Sequence, residues 1–191
     1  AYYNIGKVGW QGVNGLVEYN NSIVSAVLQG GLSNQSFQRI DYFAQPDNPE
    51  SDTENVGGGY IKGGANWNID DNHNVFFNTG FISRQPNFDG VFPNYANNVN
   101  PDLQNEEITS VELGYGFVSN NFRANVNLYS TTWGNRFVTR SLSNQQGVDG
   151  FAQFKDIDVV HNGIEVEATY DPTSKLRLKG MLSVSYTHTT L

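Results

Sequence analysis

Short polar turns recur about every fifty residues along this chain, and the segments between them alternate apolar and polar residues. The four turns lie at residues 20–22, 70–73, 119–121 and 171–174. A period of two is typical of β-strands, and turns at this spacing indicate hairpins of unusually long strands. Longer stretches rich in Asn, Gln, Asp, Pro and Gly lie half-way between the turns. Short turns at one end and long loops at the other are typical of an up-and-down transmembrane β-barrel, whereas a soluble β-sandwich has turn signals about every 8–12 residues.

Composition agrees with an all-β chain and argues against several other classes. Only 38% of the residues are hydrophobic, and no apolar run approaches the roughly 20 residues of a membrane helix. The absence of cysteine excludes disulfides and thiolate chemistry, and the net charge of -8 argues against a nucleic-acid partner. We therefore expect an all-β fold: an antiparallel up-and-down transmembrane β-barrel, of which this chain supplies an arc of about eight long strands.

The third hairpin shows most clearly how the strands divide into two faces. The strands on either side of residues 119–121 carry apolar residues at every second position, so these residues share one face. Pairing Phe117 with Phe122 aligns Leu113 with Val126 on an apolar face, which we expect to contact lipid. The opposite face is too polar for a packed core, and we expect it to line an aqueous lumen. The residues expected to face the lumen are Arg84, Glu112, Arg123, Asn125, Asn127, Glu167 and Lys179.

The second and fourth hairpins predict further pairings. We expect Trp67 opposite Phe77, and Glu167 opposite Lys179 as an oppositely charged cross-strand pair. The segment 121–141 is nearly twice as long as the roughly 9–11 residues that cross a bilayer, which predicts a tall barrel. Aromatic residues next to the short turns are expected to form a belt at one membrane interface; they are Tyr19, Phe117, Phe122 and Tyr170.

The first hairpin is less regular. Val8 and Trp10 are out of phase with Val17. We therefore expect a β-bulge near Gly12 or Gly15, because one extra residue in a strand reverses the faces of the residues beyond it.

Four segments together resemble the TonB-dependent outer-membrane receptors. Residues 100–115 read NPDLQNEEITSVELGY and continue into a strand and the run TWGNRF at 132–137. Upstream lies FISRQPNF at 81–88, and downstream lies NGIEVE at 162–167. Each piece is a weak signal by itself, but the order of all four is similar to that of the family over about residues 60–190.

The resemblance implies an active transporter in a bacterial outer membrane. Its barrel has about 22 strands around a plug and is driven through TonB. We expect the chain to be a fragment of a longer polypeptide, because Ala1 is not a start Met and Leu191 falls inside a strand pattern. Compared with the family's architecture, residues 1–191 are expected to be part of one barrel domain, without the plug or the final strand. Implied partners are lipid, the receptor's own plug, the TonB complex, an imported small ligand and, as an option, a surface lipoprotein. The matched segments do not indicate which nutrient is imported. A passive porin and a soluble or surface β-rich binding or adhesin module are the alternatives.

Ligand contacts are expected on the long loops, where aromatic and charged residues meet. One group lies in the stretch 87–100 and a second at the top of the following hairpin. The candidates are Phe88, Asp89, Phe92, Tyr95, Arg136 and Arg140, although they could also pack against neighbouring loops. We expect Arg84, near the top of its strand, to meet the plug or a neighbouring carboxylate.

No cofactor or metal site is predicted. The spacing Asp-x-Asn-x-Asn at 70–74 copies the start of a calcium loop, but Val75 stands where that loop needs Gly. A hairpin turn is the better interpretation. The acidic segment 46–54 is expected to be a solvated loop, with cation binding as the alternative. The three histidines lie far apart in the sequence.

An enzyme is the least favoured interpretation. Asp156, Asp158 and His161 lie close enough in sequence for a carboxylate–histidine pair. No G-x-S-x-G nucleophile motif accompanies them. We expect this segment to be a loop that leads into a strand, and we expect no catalytic residues.

Overall fold

The computed structural model describes residues 3–43, 45–93, 96–143 and 149–190. They form eight strands and one helix of a single turn, α1 (Phe88–Val91), in the connection after the fourth strand. The strands are β1 (Asn4–Asn20), β2 (Val24–Asp41), β3 (Glu54–Asn68), β4 (His73–Arg84), β5 (Glu106–Val118), β6 (Phe122–Ser143), β7 (Asp149–Thr173) and β8 (Leu176–Thr190). No helix among the described residues is long and apolar enough to cross a membrane.

The strands form one antiparallel sheet in sequence order, and each pairs with its neighbours in the chain. β1 and β8 lie at the two edges, so the sheet is an unclosed arc. Short turns join the strands at one end and longer connections join them at the other, which we call the short-turn end and the long-loop end. The eight-strand up-and-down arc predicted from the turn spacing is confirmed, and β6 and β7 reach 22 and 25 residues.

One face of the sheet is apolar from edge to edge. Leu113 pairs with Leu128, which pairs with Ile164, and Val166 pairs with Leu182 one row away. Leu113, Leu128 and Leu182 are 49%, 50% and 63% exposed, so this face has no protein cover within the described chain. We call it the apolar face, and the other one the polar face.

The predicted hairpin registers are each wrong by two residues. Ala65, not Trp67, lies opposite Phe77, and Ala124, not Phe122, lies opposite Phe117. The second turn is set by Asp70, whose carboxylate accepts the backbone N–H groups of Asn72 and His73 at 2.8 Å each, an Asx turn that moves the turn towards β3. A shift of two residues keeps every side chain on its face. The predicted division of these strands into an apolar and a polar face is therefore correct although the register is not.

The fourth hairpin also corrects a predicted ion pair. Glu167 lies opposite Met181, and Lys179 lies opposite Thr169. The ladder shifts between Tyr170 and Thr173, where Pro172 has no N–H to donate. The irregular ladder beside this proline explains why pairing by sequence alone placed Lys179 opposite Glu167.

The expected bulge in β1 is absent. Its ladder with β2 runs without a shift from Asn4 opposite Asp41 to Asn20 opposite Ser25. Val8 therefore lies on the polar face, directly opposite Phe37. Phe37 is 1% exposed, because a loop covers the polar face at this end.

Candidate functional site

Near the short-turn end, the polar face is lined by asparagine and carboxylate side chains. Asn74 Nδ2 donates to Asn66 Oδ1 at 2.6 Å, and Asn78 Nδ2 donates to Glu112 Oε2 at 2.9 Å. Gly64 lies directly opposite Asn78, and its missing side chain leaves the space that Asn78 occupies. This part of the polar face is therefore a hydrogen-bonding surface rather than a packed core.

The connection between β4 and β5, loop 85–105, folds over the polar face at the long-loop end. Val91 and Phe92 of this loop are 0% and 1% exposed and form a buried cluster with Phe37 of β2. The Phe88 ring reaches β1, where a Cβ atom at Gly6 would lie 3.0 Å from Phe88 Cζ. Aromatic residues therefore anchor loop 85–105 on the sheet, and the missing side chain of Gly6 leaves room for the Phe88 ring.

Polar side chains fix both ends of this loop to the wall. Gln85 Nε2 donates to Ser33 Oγ at 2.7 Å, and a Cβ atom at Gly58 would lie 2.5 Å from Gln85 Cδ. At the other end, Asn105 Nδ2 donates to the Gly57 carbonyl oxygen at 2.7 Å. The polar and apolar contacts agree in holding loop 85–105 against β1, β2 and β3.

Four side chains meet at the base of this loop and form what we call the arginine cluster. Arg84 ends β4, Glu106 begins β5, and the two form the last pair of that ladder. Arg84 Nη2 bonds to Glu106 Oε2, and Arg136 Nε bonds to Glu106 Oε1 at 3.0 Å. The Arg84 and Arg136 guanidinium carbons lie 5.6 and 5.5 Å from the centre of the Trp133 ring, within the range of a cation–π interaction.

The ligand-contact candidates are divided between several environments. Phe88 and Phe92 face the wall and its loop cluster, whereas Asp89 on the same helical turn is exposed. Arg136 belongs to the arginine cluster. Arg140 pairs with Ala152 along the backbone, but its side chain and all of Tyr95 lie outside the described part of the chain.

The seven residues expected on the lumen side share the polar face in this register. Arg123 and Lys179 pair with Thr169, and Asn125 pairs with Glu167. Sequence reasoning gave Arg84 a neighbouring carboxylate as one option, and that carboxylate is Glu106. It missed Glu106 and Trp133 as members of one site, although Glu106 starts the strand that returns beside Arg84.

Asp158 and His161, two of the carboxylate–histidine candidates, are not brought together. The β7 ladder places Asp158 and His161 on opposite faces, and His161 Nδ1 hydrogen-bonds Thr187 Oγ1 at 2.8 Å. Within the described residues, no group of three or more His, Cys, Asp or Glu side chains has the arrangement of a metal site.

An exposed ion pair marks the last short turn. Arg177 Nε and Nη2 donate to the two Asp171 carboxylate oxygens at 2.6 and 2.8 Å. These hydrogen bonds lower the pKa of the Asp171 carboxyl below its ordinary value. The pair lies on the turn side of Tyr170, whose ring is next to Phe122 in the aromatic group at the short-turn end of the apolar face.

A family model matches almost the whole chain. The TonB dependent receptor-like β-barrel model covers residues 4–190. No curated protein sequence matches the chain.

Solved structures of similar fold were also found. The copper transporter OprC superposes with a TM-score of 0.72 at 17% identity, over 95% of this chain and 29% of that one. The FrpB iron transporter of Neisseria meningitidis gives 0.68 at 16% identity, over 99% and 27%. The siderophore receptor PirA of Pseudomonas aeruginosa gives 0.67 at 14% identity, over 97% and 44%. The chain therefore spans less than half the length of these structures.

Proposed function

The chain belongs to the TonB-dependent receptor β-barrel family, whose members are transporters, and from this premise we propose that it forms part of the barrel wall of an outer-membrane active importer. The whole of residues 1–191 is then one segment of a single barrel domain. In the full-length receptor, a plug and the TonB complex complete the transporter.

The two-faced sheet is the observation that carries this proposal. The apolar face, with Leu113, Leu128 and Leu182 uncovered, suits contact with lipid acyl chains. The polar face, with its asparagine and carboxylate side chains, suits a water-filled lumen or the surface of a plug. A soluble protein rarely leaves an apolar surface of this extent exposed.

The open edges of the sheet support a larger barrel. β1 and β8 each pair on one side only within the described chain. An unpaired backbone group in hydrocarbon costs several kcal/mol, so membrane-spanning sheets close on themselves. We infer that these edges pair with further strands of a barrel of about 22 strands.

The long-loop end is the outer surface in this arrangement, since outer-membrane barrels have short periplasmic turns and longer extracellular loops. Loop 85–105 then folds into the mouth of the barrel rather than standing away from it. Asp89, Arg136, Arg140 and Tyr95 stay predictions as ligand contacts. Phe88 and Phe92 would contact a ligand only if loop 85–105 moved from the wall. A surface lipoprotein partner also stays a prediction.

Single-cysteine labelling tests the membrane orientation, because the chain has no cysteine of its own. Leu128→Cys and Asn127→Cys are adjacent in β6 and lie on opposite faces. In the full-length receptor in lipid vesicles, a fluorophore on L128C should be quenched by a lipid-bound quencher, and one on N127C should not. The reverse pattern would show that the apolar face is not the lipid face.

Active import is tested separately from orientation. Cells that carry the full-length receptor should accumulate its nutrient only while TonB is present and the inner membrane is energised. Uptake that continues unchanged without TonB would instead indicate a passive porin.

A further inference from the structure

We propose that Arg84, Arg136 and Trp133 form an anion-binding site on the polar face, which takes a ligand bearing carboxylate or phosphate groups, and that the Glu106 carboxylate beneath them holds the two arginines together. This inference rests on the proposed function and narrows its ligand to a chemical class. It assigns the site to residues at the base of loop 85–105.

The hydrogen-bonding capacity of the two arginines exceeds what Glu106 uses. Each guanidinium has five N–H donors in a planar fork. The described contacts with Glu106 are a hydrogen bond from Arg84 Nη2 to Oε2 and an ion pair between Arg136 Nε and Oε1. The arginine side chains are 55% and 38% exposed, whereas that of Glu106 is 10% exposed. The cations therefore face the open side of the cluster, and the carboxylate lies beneath them.

Charge leads to the same conclusion. Two guanidinium groups share one carboxylate, so the four-residue cluster has an excess positive charge in a chain whose net charge is -8. Glu107, the next acidic residue in the chain, lies opposite Gly134 on the apolar face. An incoming carboxylate or phosphate would complete the charge balance, and the bidentate geometry of arginine suits both groups.

Trp133 holds the arginines in position for this role. Its ring lies about equally far from both guanidinium groups, at 5.6 and 5.5 Å. The cation–π contact orients the forks without using their donors. Trp133 also gives the site a spectroscopic reporter, since tryptophan fluorescence responds to charge and hydration near the ring.

The position of the cluster excludes a lipid headgroup as the ligand of the assembled barrel. Arg84 and Glu106 lie in one row of the polar face, which faces away from the lipid. The ligand is therefore a soluble anion that enters the lumen from the long-loop end.

The test uses purified full-length receptor in detergent, titrated with citrate and with inorganic phosphate at constant ionic strength. Fluorescence should change on titration in the wild type and not in Trp133→Phe, while calorimetry reports binding in every variant. R84Q and R136Q should each weaken binding about tenfold, as expected for one charge-assisted contact. R123Q is the matched control, because Arg123 lies on the same face near the short-turn end, and it should bind as the wild type does.

Glu106→Gln distinguishes an anion-binding site from an ion-pair cluster that only stabilises the fold. Because E106Q removes the negative charge nearest to the proposed site, it should bind citrate more tightly than the wild type. Unchanged or weaker binding in a folded E106Q variant would overturn the proposal, and so would wild-type affinity in R84Q and R136Q. Heat-modifiability on a gel shows that each variant is folded. These measurements need no TonB or energy source, so their failure is distinct from a failure of active import.

Discussion

Phe92→Ala should release loop 85–105 from the wall without unfolding the sheet. Phe92 is 1% exposed and packs with Phe37 and Val91 in a cluster confined to this loop and the wall beneath it. Removing a buried phenylalanine side chain costs about 3–5 kcal/mol. That is at least about a hundredfold in the equilibrium between the anchored and released loop. Phe37 of β2 belongs to this cluster, but β5 and β6 contribute no residue to it, so the stability of those two strands should change little.

Hydrogen exchange measured by mass spectrometry on the full-length receptor gives the readout. Amides of loop 85–105 protected by the anchored state, such as Phe92 N–H, which donates to Phe88 O, should exchange at least about a hundredfold faster in F92A if local opening limits their exchange. Amides of β5 and β6 should keep their rates. Phe43→Ala is the matched control, because Phe43 is 59% exposed in the neighbouring connection. Equal protection of loop 85–105 in F92A and the wild type would refute its anchoring by this cluster.

Two further predictions concern the sheet and its last turn. Gly114→Ala should destabilise the barrel by about 1–3 kcal/mol, because the Phe76 ring occupies the space of the new Cβ atom. Gly180→Ala is the control, because nothing lies within 4 Å of its Cβ position. The denaturant midpoints of the two variants should differ. Asp171→Asn should be slightly less stable than the wild type at pH 7. The lowered pKa of Asp171 means that its ion pair with Arg177 stabilises the folded state above the ordinary carboxyl pKa of 3.8. This stabilisation is lost as the pH falls through the lower pKa of the folded state. The denaturant midpoints of D171N and the wild type should therefore converge as the pH falls below 3.8 through the lower folded pKa; a constant difference at all pH values would contradict this.

The sequence predicts faces better than registers because each depends on different interactions. Alternation alone places Leu113 and Leu128 on one side, and a two-residue slip does not change this. The register depends on single contacts at the turns. The Asp70 side chain sets one turn, and the missing N–H of Pro172 accompanies the irregular ladder at another. Neither contact has a periodic signal in the sequence.

The arginine cluster could be predicted only in part, for a related reason. Arg84 and Glu106 are separated by a long loop, and they pair only because β5 returns antiparallel to β4. Trp133 and Arg136 join them across a register shift in β6, where the period of two no longer assigns a residue to a face. The inward fold of loop 85–105 has no sequence signal of its own, because Phe88 and Phe92 indicate burial but not the partner that buries them.

The phase change in β1 shows why alternation cannot always assign a face. Val8 and Trp10 break the alternation that Val17 establishes, which is the usual sign of a bulge, yet the ladder is continuous. Both lie on the polar face, Val8 opposite Phe37 and Trp10 opposite Gln35. They are 53% and 66% exposed, so loop 85–105 buries Phe37 but does not cover these two residues. The backbone ladder with β2 therefore sets the phase of β1, because a side chain's face follows from its place in the ladder whether or not it is apolar.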